Sequence, residues 1–280
     1  STVSLLGGST NMELGSSGSG NQLIEAGGAE ILSLSELPRE RIAELVADMN
    51  TNGFGVLPGY LQPEDLARLR RFVEGAVSAA GEQYVSFTGA EPVKGTLLQV
   101  LSSSPAFADL LHQVYELGAG APAPDQSLYQ VLRCLKGETG LKHALLFHYD
   151  SYVVTALLPV IIPTEGLTGK LVIAPNVRPI RSSYLFNLID KIFLDNPITQ
   201  FLLRKAYRSG LLKLTQIPMV PGNLYFFWGY RSVHGNEACD PDKIRATALF
   251  HFGDPHSDSR LRKFTGRAKS RAQIGATQSN

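Results

Sequence analysis

Two short stretches bring together residue types that do chemistry. The first is Phe147-His148-Tyr149-Asp150-Ser151, a polar interruption inside the apolar run 145–154. Read as a strand, the alternation puts His148 and Asp150 on one face and Tyr149 on the other. An imidazole and a carboxylate projecting from an apolar wall are costly unless something pairs with them. They can pair with each other, as an ordinary Asp–His hydrogen bond, or with a divalent metal. The metal reading needs a third ligand. The second stretch, Trp228-Gly229-Tyr230-Arg231-Ser232-Val233-His234-Gly235-Asn236, offers His234 after an aromatic strand. Two imidazoles and one carboxylate leave coordination positions open, a set that suits non-haem Fe(II) with a co-substrate and dioxygen. Arg245 opens the alternating run 245–252 and falls with its inward-facing residues. A buried guanidinium asks for a planar carboxylate partner, which the distal carboxylate of 2-oxoglutarate would supply.

An HxD pair alone is a weak signal in a chain with 6 His and 25 acidic residues. The order of the surrounding motifs sharpens it. HxD is followed by a turn and a Gly-x-Leu strand (Gly169-Lys170-Leu171), then Pro221-Gly222-Asn223-Leu224, then His234 and Arg245. In this order the chain resembles the Fe(II)/2-oxoglutarate-dependent dioxygenase superfamily, and within it the branch around phytanoyl-CoA dioxygenase. The resemblance spans roughly residues 40 to 255. It implies Fe(II) held by His148, Asp150 and His234, and 2-oxoglutarate chelating that metal while Arg245 pairs with its far carboxylate. It implies hydroxylation of an unactivated C–H, with release of succinate and CO2. Desaturation, epimerisation or ring formation would use the same residues. Asp150 disfavours halogenating variants, which leave that ligand position vacant. The family's Pro-Gly-Ser-His-like stretch is replaced here by Ala174-Pro175-Asn176-Val177-Arg178. The expected fold is a distorted double-stranded β-helix, a jelly roll of cupin type, mainly β with α, with N-terminal buttressing helices and a helical insert.

Composition excludes more than it identifies. The chain has 280 residues, 44% of them hydrophobic, enough for one large domain with a sizeable core. A net charge of +1 gives no electrostatic case for nucleic acid as a partner. Cys134 and Cys239 have no paired spacing, which fits a reducing, cytoplasmic setting. The N-terminus reads as no secretory signal, and no run of 18 apolar residues would span a membrane.

The elements that must position these residues follow from periodicity. Residues 1–29 are Ser- and Gly-rich and read as a flexible tail. The domain is expected over 30–255. Helical spacing over 36–50 precedes a short strand at 54–59, and Pro63-Glu64-Asp65 opens a second helix. Residues 84–100 are expected to add strands, and 105–117 a helix carrying His112, read as an ordinary surface or packing residue. The strand 127–136 would place Tyr129 and Arg133 on one face. In similar enzymes that face lines the co-substrate pocket, so both are candidate cofactor-binding residues, with a surface ion pair the alternative for Arg133. His143 has the wrong spacing to be a ligand, and His251 shares the face of Arg245, where it would hydrogen-bond in the pocket or sit as a core histidine with a satisfied partner. Residues 152–162 read as a buried strand. Between two barrel strands, residues 183–214 form an apolar helical insert. It reads as a packing layer, a substrate lid, a peripheral membrane contact or a homodimer interface. The segment 256–280 is a basic tail. The substrate expected is a small or lipid-like metabolite, with a protein or peptide side chain as the alternative and a non-enzymatic binding barrel a third reading.

Overall fold

The computed structural model of the chain describes residues 37–259, His143 excepted. The Ser/Gly-rich segment 1–29 and nearly all of the basic segment 256–280 lie outside the described residues.

Among the described residues, nine strands form two antiparallel sheets. They are β1 (Gly55–Leu57), β2 (Val85–Thr88), β3 (Tyr129–Leu135), β4 (Val154–Ile161), β5 (Leu171–Ala174), β6 (Thr215–Ile217), β7 (Leu224–Phe227), β8 (Val233–Asn236) and β9 (Arg245–Phe252). The larger sheet runs β1-β7-β4-β9-β3-β2 and the smaller β6-β5-β8. Strand alternation gives the larger sheet two different faces. On the outer face, Leu132, Ala156, Leu158, Phe226, Ala248 and Phe250 join the helices in the main core. On the inner face, Leu157, Tyr225 and Phe227 meet Leu171, Ile173 and Ile217 of the smaller sheet. The sheets therefore face one another across a second core, and His234 on β8 and Arg245 on β9 lie on those inner faces.

Helices cover the outer face. In α1 (Arg39–Thr51) the buried residues Ile42, Leu45, Val46 and Met49 follow the i, i+3, i+4, i+7 stripe of a helix seated on a sheet. Pro63 begins α2 (Pro63–Ala79), where its missing N–H costs nothing, and Glu64 and Asp65 favour the positive end of the helix dipole. The stretch 84–100 supplies only one strand, β2. Pro92 stops strand continuation, and the Thr96 side chain caps α3 (Leu97–Ser103) by accepting from Leu98 N. Ser104 caps α4 (Pro105–Ala119), which ends at Gly120 with φ 63°. His112 packs against Phe252, ring centroids 4.6 Å apart. Between β3 and the HxD segment the chain makes one short helical turn, α5 (Gly137–Leu141).

The insert forms α6 (Tyr184–Asp195) and α7 (Pro197–Arg208), capped by Ser183 and Asn196. Leu194, Leu203 and Tyr207 pack with Phe147 and Val172 in a small third core.

Candidate metal centre

The HxD segment is not part of a strand, contrary to the period-2 reading. His148 makes a single antiparallel bridge to His234, and regular pairing begins only at Val154 in β4. Leu145 adopts φ 50°, and Asp150 N donates to Gly229 O at 3.0 Å. Residues 145–153 thus carry the chain from the edge of the smaller sheet to the centre of the larger one. His148 and Asp150 nonetheless converge, because the crossover wraps around the β7–β8 connection.

The bridge fixes both imidazoles. His148 N donates to His234 O at 3.0 Å, and His234 N donates to His148 O at 3.1 Å. Directly opposed residues project their side chains together, and the ring centroids are 4.4 Å apart. Each Nδ1 lies 3.0 Å from a backbone carbonyl two residues earlier, Leu146 O for His148 and Ser232 O for His234. A carbonyl can only accept, so Nδ1 carries the proton in both rings and Nε2 is turned to the site. Asp150 Oδ1 stands 3.7 Å from His148 Nε2 and 3.4 Å from His234 Nε2. One ligand atom from each of the three lies within 4.8 Å of the others. Three donors so gathered, with both histidine tautomers fixed by backbone, fit a divalent metal that keeps positions open.

The second oxygen of Asp150 is held separately. Thr155 Oγ1 donates to Oδ2 at 2.6 Å and stands 3.0 Å from His251 Nδ1. Since the hydroxyl proton goes to the carboxylate, His251 Nδ1–H donates to Thr155. His251, read as hydrogen-bonding in the pocket or as a core histidine with a satisfied partner, is thus the far end of a relay that orients Asp150. Gly229 completes the cradle: a Cβ there would lie 2.2 Å from Asp150 Oδ2 and 2.4 Å from Thr155 Oγ1. The sequence carried no sign of Thr155, because bends at residues 151–153 separate it from Asp150 and strand alternation does not connect the two.

The electrostatics follow from this packing. Burial, and then the neighbouring His234, push the His148 imidazole down to about 4, although one edge of the ring reaches solvent. Burial alone would raise Asp150, but His234 and His251 outweigh it and hold the carboxyl well below its usual range. Burial likewise opposes protonation of His234, and Asp150 overcomes it, so that His234 titrates above an ordinary histidine.

Arg245 is 1% exposed on the inner face of β9. Its Nε donates to Gly169 O at 2.7 Å and its Nη2 to Asn236 Oδ1 at 2.7 Å, with Met219 Sδ at 3.7 Å. Burial lowers the guanidinium to about 10. Among the described residues no carboxylate lies within 4.0 Å of it. A buried cation held only by neutral acceptors fits an anionic ligand arriving from outside the chain. Gly169, at φ 68°, makes room: a Cβ would sit 2.5 Å from Arg245 Cδ. Asn236 lies two residues past His234 in β8 and shares its face, so alternation alone could have found it.

The two remaining candidates lie at the edge. Arg133 pairs with Thr247 on β9 and reaches solvent. It lines a cavity of about 430 Å³ together with His148, Asn236, Leu146, Asp195 and Gln200. Tyr129 is 40% exposed and stacks on Tyr152 at 5.7 Å and His251 at 6.0 Å. It touches the relay, not the metal donors.

In fold the chain is similar to prolyl 4-hydroxylases from Phytophthora capsici, at TM-score 0.52 and 11% identity over 84% of this chain and 68% of that one. Looser similarities are to the 2-oxoglutarate-dependent epimerase SnoN from nogalamycin biosynthesis (TM-score 0.48, 18% identity, 77% of this chain and 84% of that one). A prolyl-4-hydroxylase from Pseudomonas putida follows (TM-score 0.45, 15% identity, 76% and 93%). At 11% identity what the chain shares with the Phytophthora capsici enzymes is the fold. No protein-family model matches the chain, and no curated protein matches it in sequence.

Proposed function

We propose that the protein is an Fe(II)- and 2-oxoglutarate-dependent oxygenase built on a distorted double-stranded β-helix spanning about residues 30–255. The observation that carries this reading is the convergence of His148, Asp150 and His234 inside the same sandwich that buries Arg245 with no carboxylate partner among the described residues. In this reading His148 Nε2, Asp150 Oδ1 and His234 Nε2 hold Fe(II). Thr155 keeps the second oxygen of Asp150 occupied, so that the carboxylate offers a single oxygen. Arg245, held straight by Gly169 O and Asn236 Oδ1, presents its guanidinium to the far carboxylate of 2-oxoglutarate. When bound, iron, 2-oxoglutarate and dioxygen supply the oxidant for a substrate C–H, and 2-oxoglutarate leaves as succinate and CO2. The motif order within the chain favours the phytanoyl-CoA dioxygenase-like branch over its other relatives.

The substrate we infer is a small or lipid-like metabolite. Asp195 and Gln200 of the insert line the cavity of about 430 Å³ beside His148, a volume in the range that small-molecule ligands fill. Arg133, at the same cavity, would face the substrate or co-substrate. Both thiols are buried and unpaired, in keeping with a reducing compartment.

The decisive experiment measures succinate formed from 2-oxoglutarate by Fe(II)-loaded protein on admission of oxygen. Turnover is expected in the natural sequence and its loss in His234→Ala. Absence of turnover, together with no metal-dependent binding of 2-oxoglutarate, would overturn the proposal.

A further inference from the structure

The helical insert is inside out. A helix seated on a protein body normally turns its apolar stripe inward. Here the buried positions of α6 and α7 include the polar Asn187 and Gln200. Phe186, Ile189, Ile192, Phe193, Ile198 and Phe201 are instead between 52% and 72% exposed. At roughly 100 Å² apiece these six side chains present on the order of 600 Å², as much as the largest apolar patches on soluble monomers. The inversion has a local cause. Gln200 Nε2 donates to Phe147 O at 2.7 Å and Oε1 accepts from Phe147 N at 3.1 Å, while Lys191 Nζ donates to Ser151 Oγ at 2.9 Å. The polar side of the insert is committed to clamping the segment that carries His148 and Asp150, and this leaves the apolar side outward.

The charges beside that face select its occupant. Phe201 shares a shallow groove with Arg204, Lys205 and Arg208. α7 has no acidic residue, and among the described residues none of these three cations has a carboxylate within 4.0 Å. In α6, Asp190 is taken by Arg178 and Arg181, and Asp195 lines the cavity. A second copy of this chain would bring the same uncompensated cations to the face. An anionic lipid surface matches both features, accepting aromatic and aliphatic side chains at the headgroup boundary and pairing its phosphates and carboxylates with the cations.

We propose that α6 and α7 dock the protein peripherally on an anionic lipid bilayer. Because Asp195 and Gln200 of this insert also wall the cavity, docking sets the cavity beside the membrane surface. The inference stands apart from the oxygenase reading, since it uses none of the metal donors.

The test is co-sedimentation of the full chain with vesicles of phosphatidylcholine alone and of phosphatidylcholine with phosphatidylserine. Binding is expected to the mixed vesicles, to weaken with added salt, and to fall on the order of a hundredfold in R204E/K205E/R208E. Phe193→Ser, at a position 72% exposed and so harmless to folding, is expected to lose about tenfold. No binding to mixed vesicles would overturn the proposal. So would a dimer in solution that Phe193→Ser dissociates without vesicle binding, or binding unaffected by both variants. The same assay on His234→Ala is expected to be unchanged, so that failure of the enzymatic reading leaves this one standing.

Discussion

At the residue scale the three proposed metal donors, His148, Asp150 and His234, are unequal before any ion arrives. His148 is already neutral at physiological pH, held at about 4, and Asp150 is already ionised. His234 alone retains a proton to higher pH than an ordinary histidine, because Asp150 pairs with its charged form. A metal must displace that proton. Protonation increases as pH falls, so affinity should weaken about tenfold for each pH unit below the raised value for His234 and level off above it. Calorimetric titration with Mn(II), a redox-inert stand-in, should show this slope and release of about one proton. An affinity independent of pH from about 8 to 6 would contradict the pairing. Thr155 gives a second prediction. Thr155→Val removes the donor to Asp150 Oδ2 and also strands His251 Nδ1. Metal affinity should drop by about 10- to 100-fold, as for other residues that orient a ligand, while Thr155→Ser should restore it. Equal affinity in both variants would mean that Gly229 and packing suffice to fix the carboxylate.

At the element scale the segment 145–153 behaves as a strap across the open end of the sandwich. It lacks a sheet of its own, so its position depends on others: the bridge to β8, the bond from Asp150 N to Gly229 O, and the insert. Arg178 belongs to the same brace. Its guanidinium lies between the rings of Tyr149 and Tyr230, 3.7 Å and 4.2 Å from their centroids, and bonds Asp190 and Asn187 of α6. Such stacking on planar rings is particular to arginine. Gln200 closes the other side. Gln200→Leu is expected to leave Phe147 N and O without partners in a buried setting, costing about 2 kcal/mol. It should also loosen metal binding, since His148 is the next residue. Denaturant unfolding with and without Mn(II) checks both; an unchanged midpoint in both would show that the insert does not support the site.

At the scale of the whole molecule, the helices and the site communicate through the larger sheet. Trp228 is fully buried just before Gly229, and its Nε1 donates to Asn50 Oδ1 at 2.8 Å, tying α1 to the turn that receives Asp150 N. On its other side α4 approaches so closely that a Cβ at Gly118 would lie 1.8 Å from Trp228 Cη2. Gly118→Ala should therefore destabilise the fold by about 3 kcal/mol, although alanine is the better helix former. Thermal unfolding would reveal it, and a variant as stable as its parent would mean that α4 shifts without cost. Among the described residues no helix is long and apolar enough to cross a membrane.

Residue type and motif order named His148, Asp150, His234 and Arg245 as candidates, and the fold gathers one ligand atom from each of the first three within 4.8 Å. Periodicity likewise sufficed for α1, α2, α4, β3 and β9, whose burial stripes are local. It failed at residues 145–153, where alternation predicts a strand. The chain there changes sheets, and a sheet change is set by partners distant in sequence. It also left open which way the insert faces. Its apolar stripe was legible, but the inward pull of Phe147 on Gln200 and of Ser151 on Lys191 exists only in three dimensions. Thr155, Gly229 and the role of His251 belong to the same class. Each matters for what it touches across more than fifty residues of chain, or across a bend, and only the tertiary structure brings those contacts together.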